Sequence, residues 1–173
     1  KTVEKCHSVV GRQANHMARL LDDLLDVARI TRGKFALRKE DLDLRVPIEA
    51  AIESTTPLLR ERQIDLSVNL PEVPVLVRGD TSRLQQVVVN LLSNAATYSS
   101  KAGRVTLVLE LDGERAQLDV ADRGVGIEPE MLKSIFELFV QAEQRIDRPR
   151  GGLGVGLSLA RSVIELHGGT IDA

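Results

Sequence analysis

The strongest constraint on this chain is an ordered set of three segments. A helical pattern carrying Asn90 and Asn94 comes first, then an alternating hairpin running into DRGVGI at Asp122 to Ile127, then GGLGVGL at Gly151 to Leu157, which opens another helix. Each segment alone is an ordinary signal, because glycine runs also serve plain turns. In this order they require one domain that mixes strands with helices and closes two glycine turns against an amide-bearing helix.

A length of 173 residues allows one domain with a proper core plus an appendage, and two full domains are not expected. No apolar run approaches the roughly 20 residues that span a bilayer, so membrane contact is not expected. The formal net charge is −2 and aromatic residues make up 2% of the chain, which leaves neither a positive field nor stacking platforms for nucleic acid. The single Cys6 excludes an internal disulfide and fits a reducing, cytoplasmic compartment. The chain starts at Lys1 without Met and stops at Ala173 just after a Gly168-Gly169 turn, so both ends read as cut.

From about Val9 to Ile30, Met17, Leu20, Leu21, Leu24, Val27 and Ala28 recur at helical spacing, with Asp22, Asp23, Asp26 and Arg29 between them. Thr31-Arg32-Gly33 ends this helix, and its apolar stripe is expected to pack on another helix of a partner chain or of upstream sequence, making a homodimer. Beyond Gly33, Phe35 and Leu37 alternate as a short strand, and Ile48 to Leu59 form a helix that Pro57 kinks or ends. Ile64, Leu66, Val68 and Leu70 make the clearest strand, closed by Pro71 and Pro74.

Asp80 can cap the next helix, whose buried face is Leu84, Val87, Val88, Leu91, Leu92 and Ala95. Val105 to Leu111 and Ala116 to Val120 form a hairpin around Asp112-Gly113. Pro129 suits a short helix ending near Phe136, Phe136 and Phe139 read as core anchors, and a last helix is stopped by Gly168. The expected architecture is α+β: a two-layer α/β sandwich with a mixed sheet and helices on one face, preceded by a long N-terminal helix.

Asn90, Asn94 and Tyr98 lie four apart and share a helical stripe. A carboxamide oxygen can coordinate Mg²⁺ while its NH₂ donates to phosphate, although two asparagines also serve plain helix-edge hydrogen bonds. Asp122, taken as a buried carboxylate, can accept from an exocyclic amine. Guanine would present a carbonyl there instead, so adenine is selected, and the alternative is a simple Asp-Gly turn. Gly124 and Gly126 permit close backbone approach, and Gly152, Gly154 and Gly156 leave the N–H groups of the last helix, including that of Leu157, open to phosphate. Arg145, Arg148 and Arg150 can clamp phosphates or sit on a solvated loop.

NLLSNAATY, DRGVGI, IFELF and GGLGVGL, in that order, resemble the catalytic ATP-binding domain of sensor histidine kinases, the nucleotide fold shared with gyrase and heat-shock chaperone ATPases. RQANHMARLLDDLLDVARITRGKF is similar to the second helix of that family's dimerisation hairpin, which divides the chain into a partial dimerisation helix at 1–33 and a C-terminally truncated catalytic domain at 34–173. The resemblance implies that ATP and Mg²⁺ bind, with Asn90 and Asn94 in the asparagine box and Asn94 as the metal ligand. Asp122 then reads adenine, Gly124 and Gly126 shape its pocket, residues 140–150 form a lid, and Gly152, Gly154 and Gly156 cradle phosphates. It also implies a response regulator as partner.

Three features depart from the family pattern. Thr97 stands where a phosphate-binding lysine is common, and Leu153 where Ser or Thr is common. No histidine carries the acceptor motif: His7 precedes Ser8-Val9, His16 precedes Met17-Ala18, and His167 sits at a helix end where its charge would suit the dipole. The chain is therefore expected to supply the ATP-holding half of a kinase whose phosphoacceptor lies on another helix. The alternatives are an ATP hydrolase of the same superfamily, disfavoured because Asn90 stands where a general base is needed, and a nonenzymatic nucleotide-sensing dimerisation module.

Overall fold

The computed structural model describes residues 2–140 and 154–173, with side chains in the first helix described at Gly11, Met17, Ala18 and from Leu20 onward. Arg145, Arg148, Arg150, Gly152 and Leu153 lie outside the described residues. The elements run α1 (Thr2–Thr31), β1 (Glu40–Asp43), α2 (Arg45–Glu61), β2 (Asp65–Asn69), β3 (Leu76–Gly79), α3 (Thr81–Tyr98), β4 (Arg104–Asp112), β5 (Arg115–Asp122) and α4 (Gly156–His167).

β2 pairs parallel with β4, and β4 pairs antiparallel with β5, so the larger sheet is mixed, in the order β2-β4-β5. The hairpin closes with Asp112 opposite Arg115, and Gly113 takes the φ of 61° that such a tight connection demands. β1 and β3 form a separate antiparallel ribbon. Alternation on β4 drives Val105, Leu107 and Leu109 into the core, where they meet Ile48 and Ala51 of α2 and Val88, Leu92 and Ala95 of α3. On the far side of α3, Val87 packs with Leu159, Ala160 and Val163 of α4. The helices thus form one layer on the sheet, with α3 central.

Several local expectations are corrected. No strand forms at Phe35 and Leu37; the Phe35 ring lies under the Arg83 guanidinium, 4.6 Å from its centroid, and the Arg38 N–H donates to the Asp80 carboxylate rather than to a ladder. α2 continues through Pro57 to Glu61. Glu53 and Pro57 are exposed, so the carbonyl that loses its partner faces the solvent side, while the hydroxyls of Thr55 and Thr56 back-bond to Ala51 and Ile52. Residues 129–138 are successive turns instead of a short helix, with one α-type bond, from Ile135 N–H to Met131 O. β3 fills a stretch that the two prolines disguise.

One ionic node fixes how β1, α2 and the proline loop meet. Asp43 accepts from Arg45 Nη2 at 2.7 Å and from the Val75 N–H at 3.1 Å, while Arg45 Nη1 donates to Glu72 O at 2.8 Å. The Arg45 guanidinium beside it holds the Asp43 carboxyl at about 2, with the two backbone N–H bonds adding to the effect against partial desolvation.

α1 meets the domain differently from the expected pattern. Leu20, Leu24 and Val27 are half-buried, whereas Met17, Leu21 and Leu25 are 62%, 59% and 55% exposed. Two acidic residues read as solvent-facing, Asp23 and Asp26, are buried. They face Gln86 and Arg83 of α3.

Candidate nucleotide-binding site

α3 is the spine of the site, and its start is firmly set. The Asp80 side chain caps it by accepting from the Arg83 N–H at 3.2 Å and the Ser82 hydroxyl at 2.8 Å. Burial pushes the Asp80 carboxyl up, but the N–H of Arg38, the Ser82 hydroxyl and the N–H of Arg83 outweigh it, and the group sits below the usual carboxylate range. The Asp80 N–H donates to His167 Nε2 at 2.9 Å, and His167 Nδ1 lies 2.7 Å from Val163 O. One ring nitrogen accepts and the other donates, which is the neutral imidazole. His167 is thus a joint between the end of α4 and the start of α3, and not the charged helix cap the sequence led us to expect. Gly79 keeps the joint closed, since a Cβ there would come within 3.1 Å of the ring.

Halfway along α3, Asn90 Nδ2 donates to Gly156 O at 3.1 Å. This joins the amide stripe to the first turn of α4 and commits the NH₂ end, so Asn90 Oδ1 remains an acceptor. Asn94 follows one turn later, half-buried, and Tyr98 is 40% exposed at the helix end. No side chain caps α4 at Val155, so its leading N–H groups, at Gly156 and Leu157, have no intrahelical partner. Gly154, at φ 70°, is required for another reason: its Cβ would lie 2.7 Å from Val140 O. Its carbonyl accepts the Phe139 N–H at 3.1 Å, clamping both sides of the glycine-rich segment. Phe136 is the buried anchor the sequence implied, but Phe139 is not. With φ 65° and 63% exposure, Phe139 spends its backbone on Gly154 and leaves its ring outside.

At the far end of α3, Ser99 pairs with Gly124 in an isolated bridge, which brings the DRGVGI turn against Tyr98. Asp122 Oδ1 accepts the Gly124 N–H at 2.7 Å. The carboxylate is exposed, in contrast to the buried one expected, because β5 is the outer strand of its sheet and the turn carries Asp122 away from the core. Its orientation is nevertheless fixed, with Oδ2 left to accept from a ligand. Gly124 has no room for a side chain, since a Cβ would lie 2.5 Å from both Asp122 Oδ1 and Tyr98 O. Gly126 is needed only for its φ of 73°. The hydroxyls of Ser93 and Ser99, beside Asn94 and the glycine turn, are buried without a hydrogen-bond partner among the described residues. Neither gave a sequence signal, because a serine inside a helix, as at Ser93, or just past its end, as at Ser99, is common.

The model of the histidine kinase-, DNA gyrase B- and HSP90-like ATPase family matches residues 79–173, the span from the Gly79–His167 joint through both glycine turns. The chain belongs to that family. The sensor protein KdpD of Escherichia coli (strain K12) is 34% identical over 166 residues, 96% of this chain and 18% of that protein. The mycobacterial sensor histidine kinase MprB superposes with a TM-score of 0.63 at 33% identity, over 75% of this chain and 80% of that one. Full-length ShkA in complex with AMPPNP superposes with a TM-score of 0.72 at 28% identity, over 91% of this chain and 32% of that one. The chain is a histidine kinase fragment with an ATP-binding catalytic domain, and it spans about a fifth of the length of a curated relative such as KdpD. No described helix is long and apolar enough to cross a membrane.

Proposed function

We propose that residues 34–173 bind ATP·Mg²⁺ and present its γ-phosphoryl group to a histidine on another helix, for relay to a response regulator, while residues 1–33 are part of a dimerisation helix. The observation that carries this reading is the Asn90–Gly156 hydrogen bond, which closes the amide stripe onto the glycine-rich helix start while the same α3 reaches the Asp122 turn at its other end. Adenine fits Asp122: an exocyclic amine donates to Oδ2, whereas guanine would set a carbonyl against it. The phosphates lie toward Gly154, Gly156 and Leu157, with Arg148, Arg150 and Gly152 on the segment leading into α4. Tyr98 borders the base.

The donor chemistry fits Mg²⁺, a hard cation served by the Asn94 and Asn90 amide oxygens. A single amide ligand set leaves most of the cation's coordination to the nucleotide's phosphates and water. When bound, Mg²⁺ neutralises the charge that develops on the phosphates. The protein residues fix the nucleotide's direction, and a histidine nitrogen attacks phosphorus as the bond to ADP breaks. Asn90 carries no basic group, so water is not activated and hydrolysis is slow. The exposed Met17, Leu21 and Leu25 give the helix a free apolar edge for a second copy.

Calorimetric titration with AMPPNP and Mg²⁺ tests the site. Asp122→Asn replaces an acceptor with a partial donor and is expected to weaken binding by about tenfold or more. Unchanged affinity would contradict the assignment of Asp122 to the base.

A further inference from the structure

α4 meets α3 through two kinds of contact. Apolar side chains, Val87 on α3 against Leu159, Ala160 and Val163 on α4, set how closely the two helices approach. Such packing is non-directional and tolerates a small slide along the helix axis. Register is left to directional contacts, and one stands at each end of α4. At its start, Gly156 O accepts from Asn90 Nδ2 at 3.1 Å. At its end, His167 Nε2 accepts the Asp80 N–H at 2.9 Å.

The His167 contact is built to hold one geometry. Its Nδ1 lies 2.7 Å from Val163 O, one turn back on the same helix, so the ring cannot rotate without giving up that bond. Gly79 leaves room for the ring and no more, since a Cβ there would lie 3.1 Å from Cδ2 and 3.2 Å from Nε2. The donor is a main-chain N–H, on the residue whose carboxylate caps α3 through the Arg83 N–H, so it cannot swing aside as a side chain would. α4 has 12 residues and neither proline nor glycine between Leu157 and His167. It is a straight rod of about 18 Å, and a shift at His167 is carried to Gly156 and Leu157. No side chain caps that start, so little else there resists the shift.

We propose that His167 is a positioning residue for the nucleotide site: its Nε2, bonded to the Asp80 N–H, sets the axial register of α4 and so places the Gly156 and Leu157 N–H groups relative to Asn90 and Asn94. What that register serves rests on the ATP-binding reading above. His167 acts through α4, from the end opposite the phosphates, and not by contact with the nucleotide.

Two substitutions in the whole chain separate the bond from the bulk of the ring. A glutamine amide reaches as far as Nε2 and can accept the Asp80 N–H, whereas an asparagine amide reaches only as far as Nδ1. With AMPPNP and Mg²⁺, His167→Gln should stay within about threefold of the parent affinity and His167→Asn should fall about tenfold. In the nucleotide-free chain labelled with ¹⁵N, the side-chain amide signals of Asn90 should hold their place in His167→Gln and move in His167→Asn. The long-range ¹H–¹⁵N spectrum of the parent ring should show hydrogen on Nδ1 and none on Nε2. Hydrogen on Nε2 overturns the proposal. Parent-like affinity with unmoved Asn90 signals in His167→Asn overturns it too, as does an equal loss in both variants, because the acceptor would then be irrelevant. Should His167→Asn not fold, the decision falls to the parent ring spectrum and His167→Gln, which must keep both the affinity and the Asn90 signals. If AMPPNP fails to bind the parent chain, the ATP-binding reading fails, and the Asn90 signals of the unliganded chains still decide whether His167 sets the register of α4.

Discussion

Gly124 shows how tightly the site is specified at the scale of one residue. A single added methyl group would meet Asp122 Oδ1 and Tyr98 O, both at 2.5 Å, a separation real Cβ atoms do not tolerate. Gly124→Ala must therefore tear the Asp122 carboxylate from its N–H partner or push the turn off α3. An overpacking cost of about 1–3 kcal/mol, where it falls on the bound state, corresponds to a loss of AMPPNP affinity of roughly five- to 150-fold. Gly126→Ala meets nothing within 4 Å and suffers only left-handed strain of about 1–2 kcal/mol, most of it expressed in stability. Parallel titrations and melts of the two variants separate the effects; equal affinity losses would deny Gly124 its special role. His167 gives the complementary lesson, since its chemistry follows from two neighbours on other elements and could not be read from its place in the chain.

Among the elements, those whose signal is local were legible and those fixed by a distant partner were not. β4 and β5 announce themselves by strict alternation and a Gly turn, and α3 by Asp80 and its apolar face. β3 is hidden, because four residues after Pro74 form a strand only by pairing with β1, whose EDLD sequence is itself polar. What aligns that ribbon with α2 is the Asp43–Arg45 node, and it makes a pH prediction. The folded Asp43 carboxyl titrates at about 2, below the unfolded value of about 3.9, so its contribution is complete above pH ~4 and disappears as pH falls toward 2. Acid unfolding followed by circular dichroism should therefore begin at higher pH in the parent chain than in Asp43→Asn when each is compared with its own stability at neutral pH. Identical acid profiles would show that the node contributes no linkage. The stripe of α1 was half legible: its apolar spacing is plain, but the partners that hold Asp26 and Asp23 inward, Arg83 and Gln86, lie more than fifty residues later.

For the whole molecule, the order of segments carried the family and the meeting of the DRGVGI turn and the start of α4 with α3, because helix, hairpin turn and glycine-rich helix start can meet only if α3 lies between α4 and the β5 end. It did not carry the arm's orientation, the fate of Phe139 or the exposure of Asp122, each of which depends on contacts across the fold. The central claim is that one adenine nucleotide lies along α3, between Asp122 and Gly156. Its most direct test is a heteronuclear NMR titration of the labelled chain with AMPPNP and Mg²⁺, following the side-chain amides of Asn90 and Asn94 and the backbone amides of Gly124, Gly156 and Leu157. The account predicts saturable shifts concentrated at these groups and small ones across β1 and β3. Shifts spread over the β1–β3 ribbon, or no saturable change at the asparagines, would contradict it.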